Sequence, residues 1–195
     1  MTAFTTLCSR SSRIIVLLAA LWFTPGLTPA AVAEGIEVRS AELAPREDGY
    51  ALEANLEIAL TPTLEDALHR GVSLFFLLEF DLQRPRWYWF NEKIAALQQQ
   101  YRLNYNTLTR QYRVSTGALY QNFDTLAEAL AFLSRVRRPQ VIDQAALRGD
   151  SNYAAALRMR LDLSELPKPF QVNALASREW NIGSDWYRWT VSIAQ

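Results

Sequence analysis

Two stretches of this chain alternate apolar and polar residues with the period of a β-strand. Tyr50, Leu52, Ala54, Leu56, Ile58 and Leu60 fall on one side, with Glu53, Asn55 and Glu57 opposite. Tyr153, Ala155, Leu157, Met159, Leu161 and Leu163 likewise alternate against Arg158, Arg160 and Asp162. Successive side chains of a strand point to opposite faces, so each stretch reads as a strand with one buried and one wet face. Ile36 to Leu43 shows a mixed alternation and then meets Pro45 and Asp48-Gly49, a turn signal, which predicts a first strand ahead of Tyr50. Val72 to Leu82 is apolar almost throughout, and its aromatic and branched content predicts a central strand covered on both faces.

Other segments carry weaker patterns. Thr61-Pro62-Thr63 ahead of Leu64 to Arg70 and Gly71 has a threonine cap, an early proline, early acids and late bases, the grammar of a short helix. Arg84-Pro85-Arg86 turns the chain into Trp87-Tyr88-Trp89-Phe90, predicted as another strand. From Lys93 the spacing of Ile94, Leu97 and Tyr101 is helical whereas Tyr101, Leu103 and Tyr105 alternate; the reading adopted is a long strand to about Tyr105. Tyr112 to Thr116, Gly117 and Leu119 to Phe123 predict a hairpin. Asp124 is expected to cap a helix that buries Leu126, Ala129, Leu130 and Leu133 and is stopped by Pro139. A loop is expected around Arg148-Gly149-Asp150, a short strand over Phe170 to Leu175, and one or two closing strands between Trp180 and Ile193. Together these elements predict a mainly β fold, a single antiparallel β-sandwich of Ig-like architecture with one or two short helices.

The first 33 residues follow a different rule. Arg10 and Arg13 precede the apolar run Ile14 to Phe23, then come Pro25, Gly26, Pro29 and Ala31-Val32-Ala33. A basic start, a short apolar core and small residues before the cut are the pattern of a secretory signal peptide. The core is too short to span a bilayer comfortably, since a membrane helix needs roughly 20 apolar residues. The expectation is cleavage after Ala33, a periplasmic sandwich domain over residues 34–195 and no stable membrane anchor; an uncleaved leader would instead tether the domain to the inner membrane. Removing the leader leaves 18 basic against 20 acidic residues, a net charge of −2. That balance gives no electrostatic case for nucleic acid. The single cysteine, Cys8, precedes the apolar core, so it suits neither a lipid anchor nor a disulfide in the mature chain.

Candidate chemistry is sparse. His69 is the only histidine, no glycine-rich loop precedes a helix to cradle phosphate, and no histidine or cysteine cluster has metal spacing, so no catalytic residue, cofactor or metal is assigned. His69 reads most simply as a residue near a helix C-terminus, where its charged form meets the dipole favourably. Glu79, Asp81, Asp162 and Asp185 fall in or beside predicted strands, and a facing pair of carboxylates is what glycoside hydrolysis requires; pairing with nearby arginines is the competing reading. The aromatics say more. Trp87 and Trp89 share one face of a strand and Tyr88 and Phe90 the other, and Trp186, Tyr187 and Trp189 pose the same question. Either these sets straddle core and rim, or they expose a platform for sugars or peptides.

The segment Leu161-Asp-Leu-Ser-Glu-Leu-Pro-Lys-Pro-Phe-Gln-Val-Asn-Ala174 continues to Glu179-Trp-Asn-Ile-Gly-Ser-Asp-Trp-Tyr-Arg-Trp189. With Leu103 to Arg113, it resembles a family of exported bacterial proteins catalogued as domain of unknown function 4390. The resemblance covers nearly all of the chain beyond the leader. It implies an exported, periplasmic protein with no established activity and no catalytic residues to carry over, and a link to envelope signalling through neighbouring genes for a membrane sensor kinase. Read physically, Leu166-Pro-Lys-Pro169 predicts a rigid extended connector between sheets, and Asn181 to Asp185 a hairpin turn that brings Trp180 and Trp186 together.

The expected function is therefore a non-enzymatic periplasmic interaction domain that binds an envelope protein or a membrane sensor through Arg84, Arg86, Trp87, Trp89, Trp186 and Trp189. The alternative is a carbohydrate or cell-wall glycan binding module, or a weak glycoside hydrolase, on the same aromatics.

Overall fold

A computed structural model describes residues 34–88, 90–143, 146–147 and 152–192. The expected leader, Trp89 and the expected loop at 148–150 lie outside the described residues. Among the described residues nine strands form two antiparallel sheets, the sandwich expected. β1 (Gly35–Arg46), β2 (Gly49–Ala59) and β7 (Arg135–Asp143) make the smaller sheet in the order β1-β2-β7. β3 (Leu74–Arg84), β4 (Glu92–Asn106), β5 (Gln111–Thr116), β6 (Leu119–Phe123), β8 (Asn152–Leu161) and β9 (Tyr187–Ser192) make the larger, ordered β6-β5-β4-β3-β8-β9.

The inward faces of both sheets join one core. Leu52, Ala54, Leu56 and Ile58 of β2 meet Leu74, Phe76, Leu78, Phe80 and Leu82 of β3 and Tyr153, Ala155, Leu157 and Met159 of β8. β3 is central, as expected, but only one of its faces is core. On the other, Phe75, Leu77, Glu79 and Asp81 are half-buried, screened by long polar side chains such as Arg102, which lies 5.6 Å over the Phe75 ring. Arginine stems cover apolar surface while their heads stay wet, so no second layer is needed there.

Two bulges account for the patterns that looked irregular. Val38 pairs with Leu56 but Ser40 with Asn55, so Arg39 is an extra residue on β1 and the alternation changes phase. Ile36 and Val38 point inward before it, Ala41 after it. Leu82 pairs with Ala95 but Gln83 with Lys93, which makes Ile94 the extra residue of β4. The helical spacing of Ile94, Leu97 and Tyr101 is thus a strand read across a bulge, with Gln99 at an inward position opposite Leu78.

Two capped helices carry the chain between sheets. α1 (Pro62–His69) links β2 to β3; Thr61 Oγ1 accepts from Leu64 N at 3.3 Å. α2 (Leu126–Leu133) links β6 to β7, and its cap is Thr125 rather than the expected Asp124. The Thr125 hydroxyl accepts from Glu128 N and the Glu128 carboxylate from Thr125 N, a reciprocal capping box. Asp124 instead accepts from Gln111 Nε2 at 3.0 Å. The helix ends at Ser134, whose carbonyl accepts from Leu56 N at 2.8 Å, so entry into the sheet stops it, and Pro139 lies within β7.

Three further expectations are corrected. Trp87, Tyr88 and Phe90 are not in a strand: they lie in the turn between β3 and β4. Residues 168–176 form α3 (Lys168–Ala176) rather than a strand, because proline fits the first helical turn and the spacing of four buries Ala174 and half-buries Phe170 beside Trp180. That helix replaces the extended Leu-Pro-Lys-Pro connector. Asn181 to Asp185 makes no hairpin turn: it runs beside the end of β8, where Leu161 N donates to Ile182 O and Ser184 N to Met159 O. Gly183 bridges Arg160, and a Cβ there would stand 3.0 Å from the Arg160 Cβ. Trp180 is buried on Phe170, with ring centroids 5.7 Å apart, while Trp186 stacks elsewhere.

Candidate interaction surface

The β3-β4 hairpin ends in an aromatic tip. Trp87 is 94% exposed, Phe90 85% and Tyr88 68%. Trp87 and Tyr88 meet edge to face, with centroids 5.0 Å apart. Directly below, Glu92 accepts hydrogen bonds from both Arg84 and Arg86, the latter at 2.6 Å, and Asn91 Nδ2 donates to Gln83 Oε1 at 3.2 Å. The Arg84 and Arg86 hydrogen bonds hold the Glu92 carboxyl below the usual carboxylate range, against the opposing effect of desolvation. The rings are thus held out on a cross-braced base. Arg84 ends β3, and Arg86 and Trp87 lie in the turn that Arg84-Pro85-Arg86 predicts, whereas the sequence reading puts Trp87 on a strand.

Trp186 and Trp189 stand apart from that tip. Trp189 lies on the inward side of β9, opposite Ala155, and packs at 6.1 Å against Phe80, so it belongs to the core margin. Trp186 lies on the outer face of the larger sheet, with the Arg158 guanidinium 4.4 Å over its ring. It lines a cleft of about 380 Å³ with Asp81, Asn91, Ala156 and Arg188, which connects it to the foot of the aromatic hairpin.

Arg158 also belongs to a charged cluster. Its Nε donates to Glu79 Oε2 at 2.6 Å, and Arg160 Nε donates to the same oxygen at 3.2 Å. Burial alone would push the Glu79 carboxyl up; the two arginines outweigh it and hold the group below the ordinary range. A general acid for glycoside hydrolysis needs the opposite shift. Asp81 pairs with Lys93 at 2.9 Å, and Asp162 caps the 3-10 turn at Leu163–Glu165. His69, the last residue of α1, has its Nε2 2.7 Å from the Tyr112 hydroxyl and its ring edge on Tyr105, a contact between helix and sheet. Among the described residues no group of histidine, cysteine and acidic side chains could hold a metal ion, and no helix is long and apolar enough to cross a membrane.

The sequence reading missed β7 and its three arginines, Arg135, Arg137 and Arg138. The available signal was the run Arg-Val-Arg-Arg-Pro, which alternates only over its first three residues.

Fold and surface together define an antiparallel β-sandwich whose exposed chemistry is arginine and aromatic. Within that class the chain belongs to the family described as Domain of unknown function (DUF4390), which it matches over residues 33–190. No curated protein and no solved structure matches the chain. Of the two segments that carried the resemblance, Leu103 to Arg113 is the β4-β5 hairpin. Asn106 Oδ1 accepts there from Leu108 N and Thr109 N, and Arg110 takes the left-handed conformation at φ 55°.

Proposed function

We propose that this protein is an exported, periplasmic, non-enzymatic interaction domain that docks on an envelope protein, such as the outer domain of a membrane sensor, through its aromatic hairpin. The observation that carries the reading is the tip itself: Trp87, Tyr88 and Phe90 project from a base braced by Arg84, Arg86 and Glu92. Tryptophan, tyrosine and arginine are the residues enriched among binding hot spots. A turn whose base is braced before binding loses little backbone freedom on association. Export rests on residues 1–33, and the mass of the native protein tests it: a chain that begins at Glu34 supports cleavage, and one that retains the leader overturns it.

The docking reading is tested with a photo-crosslinking residue at position 88 in cells, with position 55 on the opposite sheet as control. One envelope protein captured at 88 and absent at 55 is expected. With that partner purified, Trp87→Ala with Phe90→Ala should weaken the complex at least tenfold and leave the melting temperature unchanged. Equal capture at both positions, or an unaffected complex, would sink the proposal.

A second reading has its own observation. Trp186 lines a polar cleft with Asp81 and Arg188, an arrangement suited to stacking a sugar ring on the indole and bonding its hydroxyls. Intrinsic fluorescence titrated with soluble muropeptides should saturate if the cleft binds glycan, and a flat titration counts against it.

A further inference from the structure

The open side of the sandwich, away from the aromatic hairpin, holds a second feature. There the edge strand β7 faces β4, β5, β6 and α2 across a groove of about 810 Å³, within the size range of small-molecule sites. Its apolar floor includes Phe123 and Phe132, whose rings are 5.3 Å apart, and Leu119, which is 79% exposed. Arg138 lines its other wall from the inward face of β7, with Arg135 and Arg137 at the rim on the outer face of that edge strand.

These arginines differ from those that form the protein's ion-pair clusters. Arg39, Arg84, Arg86, Arg158 and Arg160 all engage carboxylates. Among the described residues no carboxylate pairs with Arg135, Arg137 or Arg138. Arg138 is opposite Leu52, which is fully buried, so it enters from the core side of β7. Its Nε is buried and has no hydrogen-bond partner. A buried donor left unmatched costs about 1–3 kcal/mol. Arg138 also acts on Tyr101, a buried phenol in the same groove: burial pushes the Tyr101 hydroxyl up, and the arginine's charge pulls it part of the way back. The one acid in the lining, Glu128, is committed to the Thr125 cap.

A bulge, Pro139 and an inward arginine would by themselves discourage edge-to-edge pairing of β7. That role needs neither an aromatic floor nor three unpaired cations on one groove. We infer that the groove binds a single-chain amphiphile with an anionic oxygen headgroup, a carboxylate or a phosphate, held by Arg135, Arg137 and Arg138 while its chain lies on Phe123 and Phe132. The assignment is independent of the aromatic hairpin and of any protein partner.

Calorimetric titration of the purified protein with dodecanoate and with dodecyl phosphate, each below its micelle concentration, tests it and separates the two headgroup sources. One-to-one binding of at least one of them is expected. Affinity should fall at least tenfold in Arg135→Gln with Arg137→Gln, whose side chains are exposed and whose loss does not threaten the fold, and at least fivefold in Phe132→Ser. Dodecanol and inorganic phosphate should each bind at least tenfold more weakly than the amphiphile, and Trp87→Ala should bind as the wild type does. Absence of binding, equal binding of dodecanol, or affinity unchanged in the arginine variant would overturn the inference.

Discussion

Replacing Glu79 with glutamine tests how the outer face of the larger sheet is held. The carboxylate is 12% exposed and takes hydrogen bonds from Arg158 and Arg160, which are 31% and 40% exposed. Hydrogen bonds to charged groups contribute about 1.5–3 kcal/mol each when shielded from water. Fully exposed ion pairs contribute about 0.2–1 kcal/mol. Solvent reaches both guanidinium groups, so the pair of contacts should lie between these limits, and Glu79→Gln should lose about 1–3 kcal/mol in urea unfolding at pH 7. The loss should depend on pH. The folded carboxyl titrates below the ordinary range, whereas the unfolded one titrates near about 4.3. The stabilisation is therefore complete above the unfolded value and disappears as pH falls through the folded one. The gap between wild type and variant should narrow steadily from about pH 4 downward. A gap that stays the same at pH 7 and pH 2.5, or a variant more stable than wild type at pH 7, would refute the reasoning.

Three further outcomes follow from the packing. Phe76 is fully buried on the central strand, and Phe76→Ala should cost about 3–5 kcal/mol in guanidinium unfolding; a loss under about 1 kcal/mol would mean that β3 is not the centre of the core. Thr125→Ala removes one half of the capping box and should cost about 1 kcal/mol, or about 2–4 °C in melting temperature. Gly49 has φ 154°, and a Cβ there would stand 2.1 Å from the Ile142 carbonyl oxygen, so Gly49→Ala should cost more than about 1 kcal/mol by forcing β2 and β7 apart.

Much of the fold was legible in the chain, and the limits have physical causes. β2 and β8 show their burial directly, because each pairs over a long run without a bulge on its own strand and meets the core on one side. β1 and β4 were visible but blurred, since Arg39 and Ile94 are extra residues whose insertion reverses the alternation. β7 was not visible. Its inward positions hold Val136 and then Arg138, and an arginine at a core position erases the apolar period. The same residue that hid the strand shapes the groove beside it. At the hairpin, adjacency in sequence brought Arg84, Arg86 and Trp87 together, but strand periodicity gave the wrong geometry, because in a turn consecutive rings can all face water. Trp186 and Arg158 are 28 positions apart, and only the pairing of β8 with the segment before β9 stacks them.

The sequence by itself determined the local terms: which stretches alternate, where threonine caps a helix, where proline and glycine turn the chain, and which residues could carry charge or stacking. Those follow from side-chain direction and backbone preference over a few residues. The tertiary structure alone decided which strand became an edge, where a bulge absorbed a residue, which tryptophan entered the core, and which arginines found a carboxylate. These are questions of register and neighbourhood between segments far apart in the chain, and local pattern holds no information about the partner that settles them.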